Sequence, residues 1–170
     1  GQDLWPSLSK EFFQDRPITE NDGVVTIDAP VRAEDAAIVP MRLRFEGPFD
    51  IKSAMLVIDQ NPMPMAANFT LGPKARVGFI ETRVRVNSYT SVHVIAETFD
   101  GRLHAQAKFV KAAGGCSAPA VKDQEQAKAH LGEMRYREFK SADPMRREAQ
   151  IMLRHPNNSG MQLDQLTRLY

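Results

Sequence analysis

The sequence predicts an all-β protein built on an immunoglobulin-like antiparallel β-sandwich. Short apolar runs recur between residues 23 and 111, and Asn, Asp, Gly and Pro separate them, as is typical of strands joined by turns. Within several runs every second residue is apolar, which places one strand face in a core and the other in water. About seven strands in about 90 residues fit such a sandwich. The predicted strands are residues 24–27, 37–45, 51–58, 65–71, 77–86, 91–99 and 103–110.

A short helix precedes the strands, over residues 4–13. Ser7 is the predicted N-cap, and Leu8 and Phe12 share a face at the i, i+4 spacing. We expect this helix to dock on the sandwich.

Two local patterns strengthen the strand assignment. Met41, Leu43 and Phe45 alternate with arginines, which indicates a half-buried strand. Asp100 and Gly101 separate the last two predicted strands and favour a two-residue hairpin turn.

The composition changes after residue 118. Residues 119–132 contain strong helix formers, with Pro119 near the start and Gly132 at the end, and predict a linker helix. Residues 133–139 and 149–154 are strand-like. Because a complete sandwich needs about 100 residues, we expect residues 133–170 to be part of a second, truncated sandwich.

Charge and hydropathy exclude two classes of partner. The 170 residues include 22 Lys and Arg and 21 Asp and Glu, which are interspersed, so no basic stripe favours nucleic acid. No apolar run reaches about 18 residues, so no membrane span is predicted.

The only cysteine, Cys116, follows Gly114 and Gly115. Glycine gives the backbone access to conformations that other residues avoid, so this pair would act as a hinge and Cys116 as a reactive thiol. A helix start near residue 119, with Lys111 and Lys122, would favour the thiolate. Alternatively, the glycines end the last strand and Cys116 packs against a neighbour. A single cysteine also leaves open a disulfide-linked dimer.

The other candidate residues have ordinary structural interpretations. The four histidines show no metal-ligand spacing, and we interpret His93 and His104 as solvent-face residues that could be cross-strand neighbours. No metal or cofactor is predicted, and the common enzyme motifs are absent. Two further groups each allow two interpretations, a structural one and a partner-binding one. They are the double-proline turn at residues 59–65 with its methionines Met63 and Met65, and the charged group Arg32, Glu34 and Asp35.

Several motifs, in order and with matching spacing, resemble the sulfur carrier SoxY. They are Val-Ile-Asp-Gln-Asn-Pro-Met-Pro at 57–64, Thr-Arg-Val-Arg-Val at 82–86, Asp-Gly at 100–101 and Val-Lys-Ala-Ala-Gly-Gly-Cys at 110–116. Downstream, His-Pro-Asn-Asn-Ser-Gly-Met at 155–161 resembles the early part of its partner SoxZ. The whole chain therefore resembles fused SoxYZ-like carriers associated with quinoprotein dehydrogenases. On this basis residues 1–118 are a SoxY-like domain, 119–132 a linker helix and 133–170 a partial SoxZ-like domain.

The resemblance implies a periplasmic carrier, not an enzyme, in which Cys116 holds a sulfur intermediate covalently. A sulfur-oxidising cytochrome and a hydrolase are the implied partners, and no cofactor is implied. Because residue 1 is Gly and not Met, an export signal is expected to have been removed upstream of it.

The chain departs from the SoxY pattern at its arm. Ser117, Ala118 and Pro119 follow the cysteine where SoxY has glycine and a free end, so this arm is tethered on both sides. Two alternatives therefore stay open. One is a binding or assembly partner of a quinoprotein dehydrogenase, with cargo other than thiosulfate. The other is a cysteine-dependent enzyme.

Overall fold

The computed structural model describes residues 3–47, 50–113 and 124–155. These residues fall into two compact units, one before residue 114 and one from residue 124 onward. The first unit comprises α1 (Trp5–Phe13), β1 (Ile18–Glu20), β2 (Val25–Asp28), β3 (Val39–Phe45), β4 (Ile51–Ile58), β5 (Met65–Thr70), β6 (Phe79–Val84), β7 (Thr90–Thr98) and β8 (Leu103–Val110).

The strands of the first unit form two sheets, which confirms the immunoglobulin-like sandwich. A five-stranded sheet has the order β1-β8-β7-β4-β5, and a three-stranded sheet has the order β2-β3-β6. All pairs are antiparallel except β1 with β8. The predicted bounds of β4 and β8 match the structure, whereas β1 was not predicted, because three residues are too few to show an alternating pattern.

Two apolar clusters hold the unit together. The larger cluster contains side chains from both sheets, such as Leu43, Leu56 and Val94, which are fully buried. The smaller one joins Leu8 and Phe13 of α1 to the five-stranded sheet. The five-stranded sheet is thus covered on both faces where α1 packs, as expected from the predicted docking of this helix.

The start of α1 differs from the prediction. Leu4 is the N-cap and supplies no side-chain cap, while Pro6 lies in the first turn. The Trp5 amide donates to Asp3 Oδ1 at 3.2 Å. Ser7 lies inside the helix and not at its cap, because proline fits the first turn, where its missing N–H costs nothing.

The hairpin turn between β7 and β8 is closed by hydrogen bonding between Thr98 and Arg102, and it therefore encloses three residues, 99–101, and not the predicted two. The Gly101 amide donates to Thr98 O at 2.9 Å, and the Thr98 amide donates to Arg102 O at 3.1 Å. Gly101 has φ of +83°, the left-handed conformation that completes this turn. The Thr98 hydroxyl, the Arg102 amide and the Arg102 guanidinium all donate to the carboxylate of Asp100, and together they lower its pKa to about 2.

The second unit contains α2 (Gln124–Ala129) and an antiparallel hairpin of β9 (Met134–Phe139) and β10 (Glu148–Leu153). The helix falls within the predicted 119–132, of which residues 119–123 lie outside the described residues. Both predicted strands are confirmed to within one residue. Their assignment to a second sandwich domain stays a prediction.

None of the helices in the described ranges is long and apolar enough to cross a membrane.

We expect Gly101→Ala to destabilise the protein by about 1 kcal/mol, because an L-residue with a Cβ is strained at this positive φ. Apart from the adjacent residues in the chain, no atom lies within 4 Å of the Cβ position at Gly101 or at Gly78, so the two sites differ in backbone conformation and not in space. Gly78→Ala is therefore the matched control, with no loss or a gain of about 0.4 kcal/mol. Urea unfolding measures both, and equal effects would contradict the turn geometry.

Candidate functional site

The segment that leads to Cys116 is anchored up to Ala112. Val110 and Ala112 are buried in the main cluster. Between them, the Lys111 amide donates to Val31 O at 2.8 Å, and Lys111 O accepts from the Ala33 amide at 3.0 Å. We call residues 110–112 the arm root. Gly114, Gly115, Cys116 and Lys122, which carry the predicted arm, lie outside the described residues.

The arm root places two cations side by side. Arg32 and Lys111 are partners in a parallel β-bridge, so their side chains leave the backbone on the same side, and both residues are exposed. The predicted ion cluster of Arg32 with Glu34 and Asp35 does not form among the described residues. Instead, Asp35 Oδ1 accepts the Ala37 amide at 2.8 Å and closes a turn. Sequence spacing alone could not show that Arg32 meets a lysine 79 residues later.

A groove of about 620 Å³ lies on the face of the five-stranded sheet beside the start of α1. Strand β8 contributes Ala105, Ala107 and Phe109, and β7 contributes Ser91 and His93. The groove therefore extends along β8 to a residue two positions before Lys111.

His93 lies at the centre of a contact that the sequence did not predict. Its ring stacks on Trp5 with centroids 3.8 Å apart and planes at 10°. Its Nε2 lies 3.2 Å from Asp59 Oδ2, and both side chains are buried. The Trp5 indole N–H donates to Glu20 Oε1 at 3.3 Å. Asp59 Oδ1 is also buried and has no hydrogen-bond partner in the described part of the chain.

His104 is likewise buried, in a separate pair with Asp22. His104 Nδ1 lies 2.6 Å from Asp22 Oδ2. Burial acts to raise the pKa of Asp22, but the hydrogen bonds with His104 and with the Val24 amide outweigh it and leave that pKa below its usual value. The prediction that both histidines face solvent is wrong. Helix α1 and the turn at residues 59–62 cover His93 on β7, and Asp22 covers His104 on β8. They are not cross-strand partners either, since His93 faces Ala107 and His104 faces Ala96.

The double-proline turn is tied down by Asn61. Asn61 Nδ2 donates to Arg85 O at 2.8 Å, and Asn61 Oδ1 accepts from the Asn87 amide at 3.0 Å. The turn therefore has a structural role. It also leaves Met63 and Met65 exposed.

Within residues 3–47, 50–113 and 124–155, no group of three His, Cys, Asp or Glu side chains is placed to hold a metal ion.

We expect His93→Leu to lower the free energy of unfolding by about 3 kcal/mol, because it leaves the buried Asp59 carboxylate without the one partner it has. Asp59→Asn is the matched variant, since its neutral amide can still hydrogen-bond to His93, and its loss should stay below about 1.5 kcal/mol. Urea unfolding at neutral pH measures both. Equal losses of unfolding free energy in the two variants would show that stability does not depend on pairing a buried Asp59 charge with His93.

Comparison with known proteins agrees with the architecture. The structure resembles the sulfur carrier protein SoxY from Chlorobium limicola f thiosulfatophilum with a TM-score of 0.53 and 24% identity, over 65% of this chain and 96% of that one. It also resembles a superoxide reductase (neelaredoxin) from Ignicoccus hospitalis, with a TM-score of 0.48 and 14% identity over 56% and 94%. No curated protein gives a significant match. At 24% identity the likeness to the Chlorobium SoxY structure shows the fold alone.

The sequence model of the family described as sulfur oxidation protein SoxY matches residues 9–116, from within α1 to the lone cysteine. Because this match covers more than half of the 170 residues, the chain belongs to the SoxY family.

Proposed function

We propose that this protein is a covalent carrier of sulfur intermediates, with the Cys116 thiol as the attachment point and Gly114 and Gly115 as the hinge. The observation that carries the proposal is that the SoxY family match ends at Cys116, four residues after the anchored Ala112. Covalent geometry limits the distance between the Cα atoms of Ala112 and Cys116 to about 14 Å. The arm therefore suits a short handover to a docked partner.

The loading step requires an oxidant that the carrier itself does not supply. The Cys116 thiol and thiosulfate (S₂O₃²⁻) form Cys–S–S–SO₃⁻, with release of one proton and two electrons. A partner cytochrome accepts those electrons. A partner hydrolase then adds water to the terminal sulfur, which leaves as sulfate (SO₄²⁻) with release of two protons, while Cys116 keeps a persulfide anion (Cys–S–S⁻). The carrier turns over nothing alone, which is why it is not an enzyme. Both partners and the carrier would meet in the periplasm.

Lys111 and Arg32 support this role at the arm root. The reactive thiolate and both loaded forms of Cys116, the Cys–S–S–SO₃⁻ conjugate and the persulfide anion, are negatively charged. Nearby cations stabilise anions. The two adjacent exposed cations would therefore favour both the reactive thiol and the loaded arm. Lys122 is proposed to act in the same way from the other side of the arm.

The second unit is proposed to be the start of a SoxZ-like domain. The register of its hairpin places Met134 and Tyr136 on one face with Ile151 and Leu153, and all four are exposed. The opposite face is mixed, with Arg135, Arg137, Glu148 and Gln150 beside the exposed Phe139 and Met152. A two-stranded sheet with one apolar face needs a covering layer, and the remainder of a sandwich would supply it.

Mass spectrometry should show adducts on Cys116 in protein taken from cells that metabolise thiosulfate. The expected first adduct is the addition of S₂O₃, removed by thiol reductant, and Cys116→Ser should carry none. A thiol that stays bare under these conditions would contradict the proposal.

The alternative role, an assembly partner of a quinoprotein dehydrogenase, gives the opposite pattern. In that case Cys116→Ser would keep the cellular activity, and charge reversal at the exposed Arg32 or Glu34 would remove it.

Lys111→Glu should slow alkylation of Cys116 by iodoacetamide and move the midpoint of its rate–pH profile to higher pH, because the substitution replaces a cation with an anion near the thiolate. Lys74→Glu makes the same charge change in an exposed loop and serves as the control. Raising the salt concentration should shrink the difference, since it screens exposed charges. Identical profiles for wild type and Lys111→Glu would exclude Lys111 from this role.

A further inference from the structure

The groove beside α1 is negatively charged. Its described lining contains three carboxylates, Asp3, Glu20 and Asp59, and neither lysine nor arginine. His93 is the one basic side chain in that lining, and it is already engaged by Asp59. The lining therefore keeps a net negative charge even if His93 is protonated, which favours a cationic occupant.

Two of the carboxylates are held in place before any ligand arrives. Asp59 is only 5% exposed, and its Oδ1 has no hydrogen-bond partner among the described residues. A buried acceptor left unpaired is costly and uncommon in native structures. Glu20 is oriented at the rim by the Trp5 indole N–H. Asp59 therefore contributes a fixed negative charge at the base of the groove, and Glu20 contributes an oriented one at its rim.

The groove also offers aromatic surface. Trp5 has one face against His93, and Tyr89 and Phe109 are about half exposed in the lining. A cation over an aromatic ring gains about 0.5–1 kcal/mol at exposed sites, and a planar guanidinium both stacks on rings and forks to carboxylates. Aromatic and acidic groups together favour arginine over lysine.

The same fold already uses this combination elsewhere. The Arg42 guanidinium lies 5.0 Å from the centre of the Phe79 ring and forms an ion pair with Glu81. In that case all three groups come from the protein itself. In the groove the ring and the carboxylate are present, and the arginine is missing.

We propose that this groove binds the guanidinium group of an arginine presented by a loop of a partner protein. A volume of about 620 Å³ accommodates an arginine side chain together with flanking backbone. The groove reaches Phe109, two residues before Lys111, so a partner docked there lies next to the arm root. The proposal does not depend on the chemistry of Cys116.

The test uses the ¹⁵N-labelled 170-residue chain and the peptide acetyl-Gly-Gly-Arg-Gly-Gly-amide. The Trp5 indole N–H and the amides of Ser91 and His93 should shift and saturate, with a Kd in the millimolar range. The chain has one tryptophan, so its indole signal reports on the groove without ambiguity. The same peptide with citrulline, the neutral isostere of arginine, should bind at least about fivefold more weakly.

Substitutions separate the groove from general charge effects. Glu20→Gln should weaken binding about threefold to fivefold, as expected for one exposed ion pair, whereas Glu34→Gln on an exposed loop should leave it unchanged. Cys116→Ser should bind like the wild type, so failure of the carrier role would not affect this result. Absent shifts, equal binding of the citrulline peptide, or equal loss in both glutamate variants would overturn the proposal. A lysine peptide or N-acetylargininamide that binds as tightly as the arginine peptide would also overturn it.

Discussion

Strand β7 is covered on both faces, and the rest of the first unit depends on this arrangement. On one face Val92, Val94 and Ala96 pack into the cluster between the sheets. On the other, Ile95 packs beneath α1. Because most of β7 is buried on both faces, its buried polar side chains need local partners. His93 finds Asp59 and Trp5, and Thr98 is satisfied within the hairpin turn.

The same packing defines the groove and the arm root, the two surfaces with proposed roles. The helix covers part of the sheet face and stops beside His93, so the uncovered remainder of that face becomes the groove. Strand β8 runs along the floor of the groove and then enters the arm root, where burial of Val110 and Ala112 fixes the chain. A carrier needs a fixed base from which a short arm can operate. Here the base is held by the main core and not by the arm itself.

Sequence patterns predicted what local periodicity controls. The bounds of β4 and β8 follow from apolar runs with turn residues at both ends, and the helix follows from the spacing of its apolar residues. The pairing of His93 with Asp59 across 34 residues and of His104 with Asp22 across 82 residues could not be predicted, because it depends on strand order and not on local pattern. The turn length was also wrong, since an Asp-Gly pair fits either a two-residue turn or a three-residue turn with glycine in the left-handed position. The proposed role of Cys116 rests on its glycine context and on resemblance, both of which are sequence properties.

The arm root and the groove carry opposite charges, which would orient a partner that docks on the first unit. Arg32 and Lys111 at the arm root favour an anionic cargo, while Glu20 and Asp59 in the groove favour a basic docking residue. If the groove were cationic like the arm root, the anionic loaded arm and the acidic groups of a partner would compete for the same two surfaces. Because they differ in sign, a partner arginine in the groove would be repelled from the arm root and attracted to the groove. In the proposed carrier, docking and cargo recognition would then take place about two residues apart along the chain, within reach of a short arm.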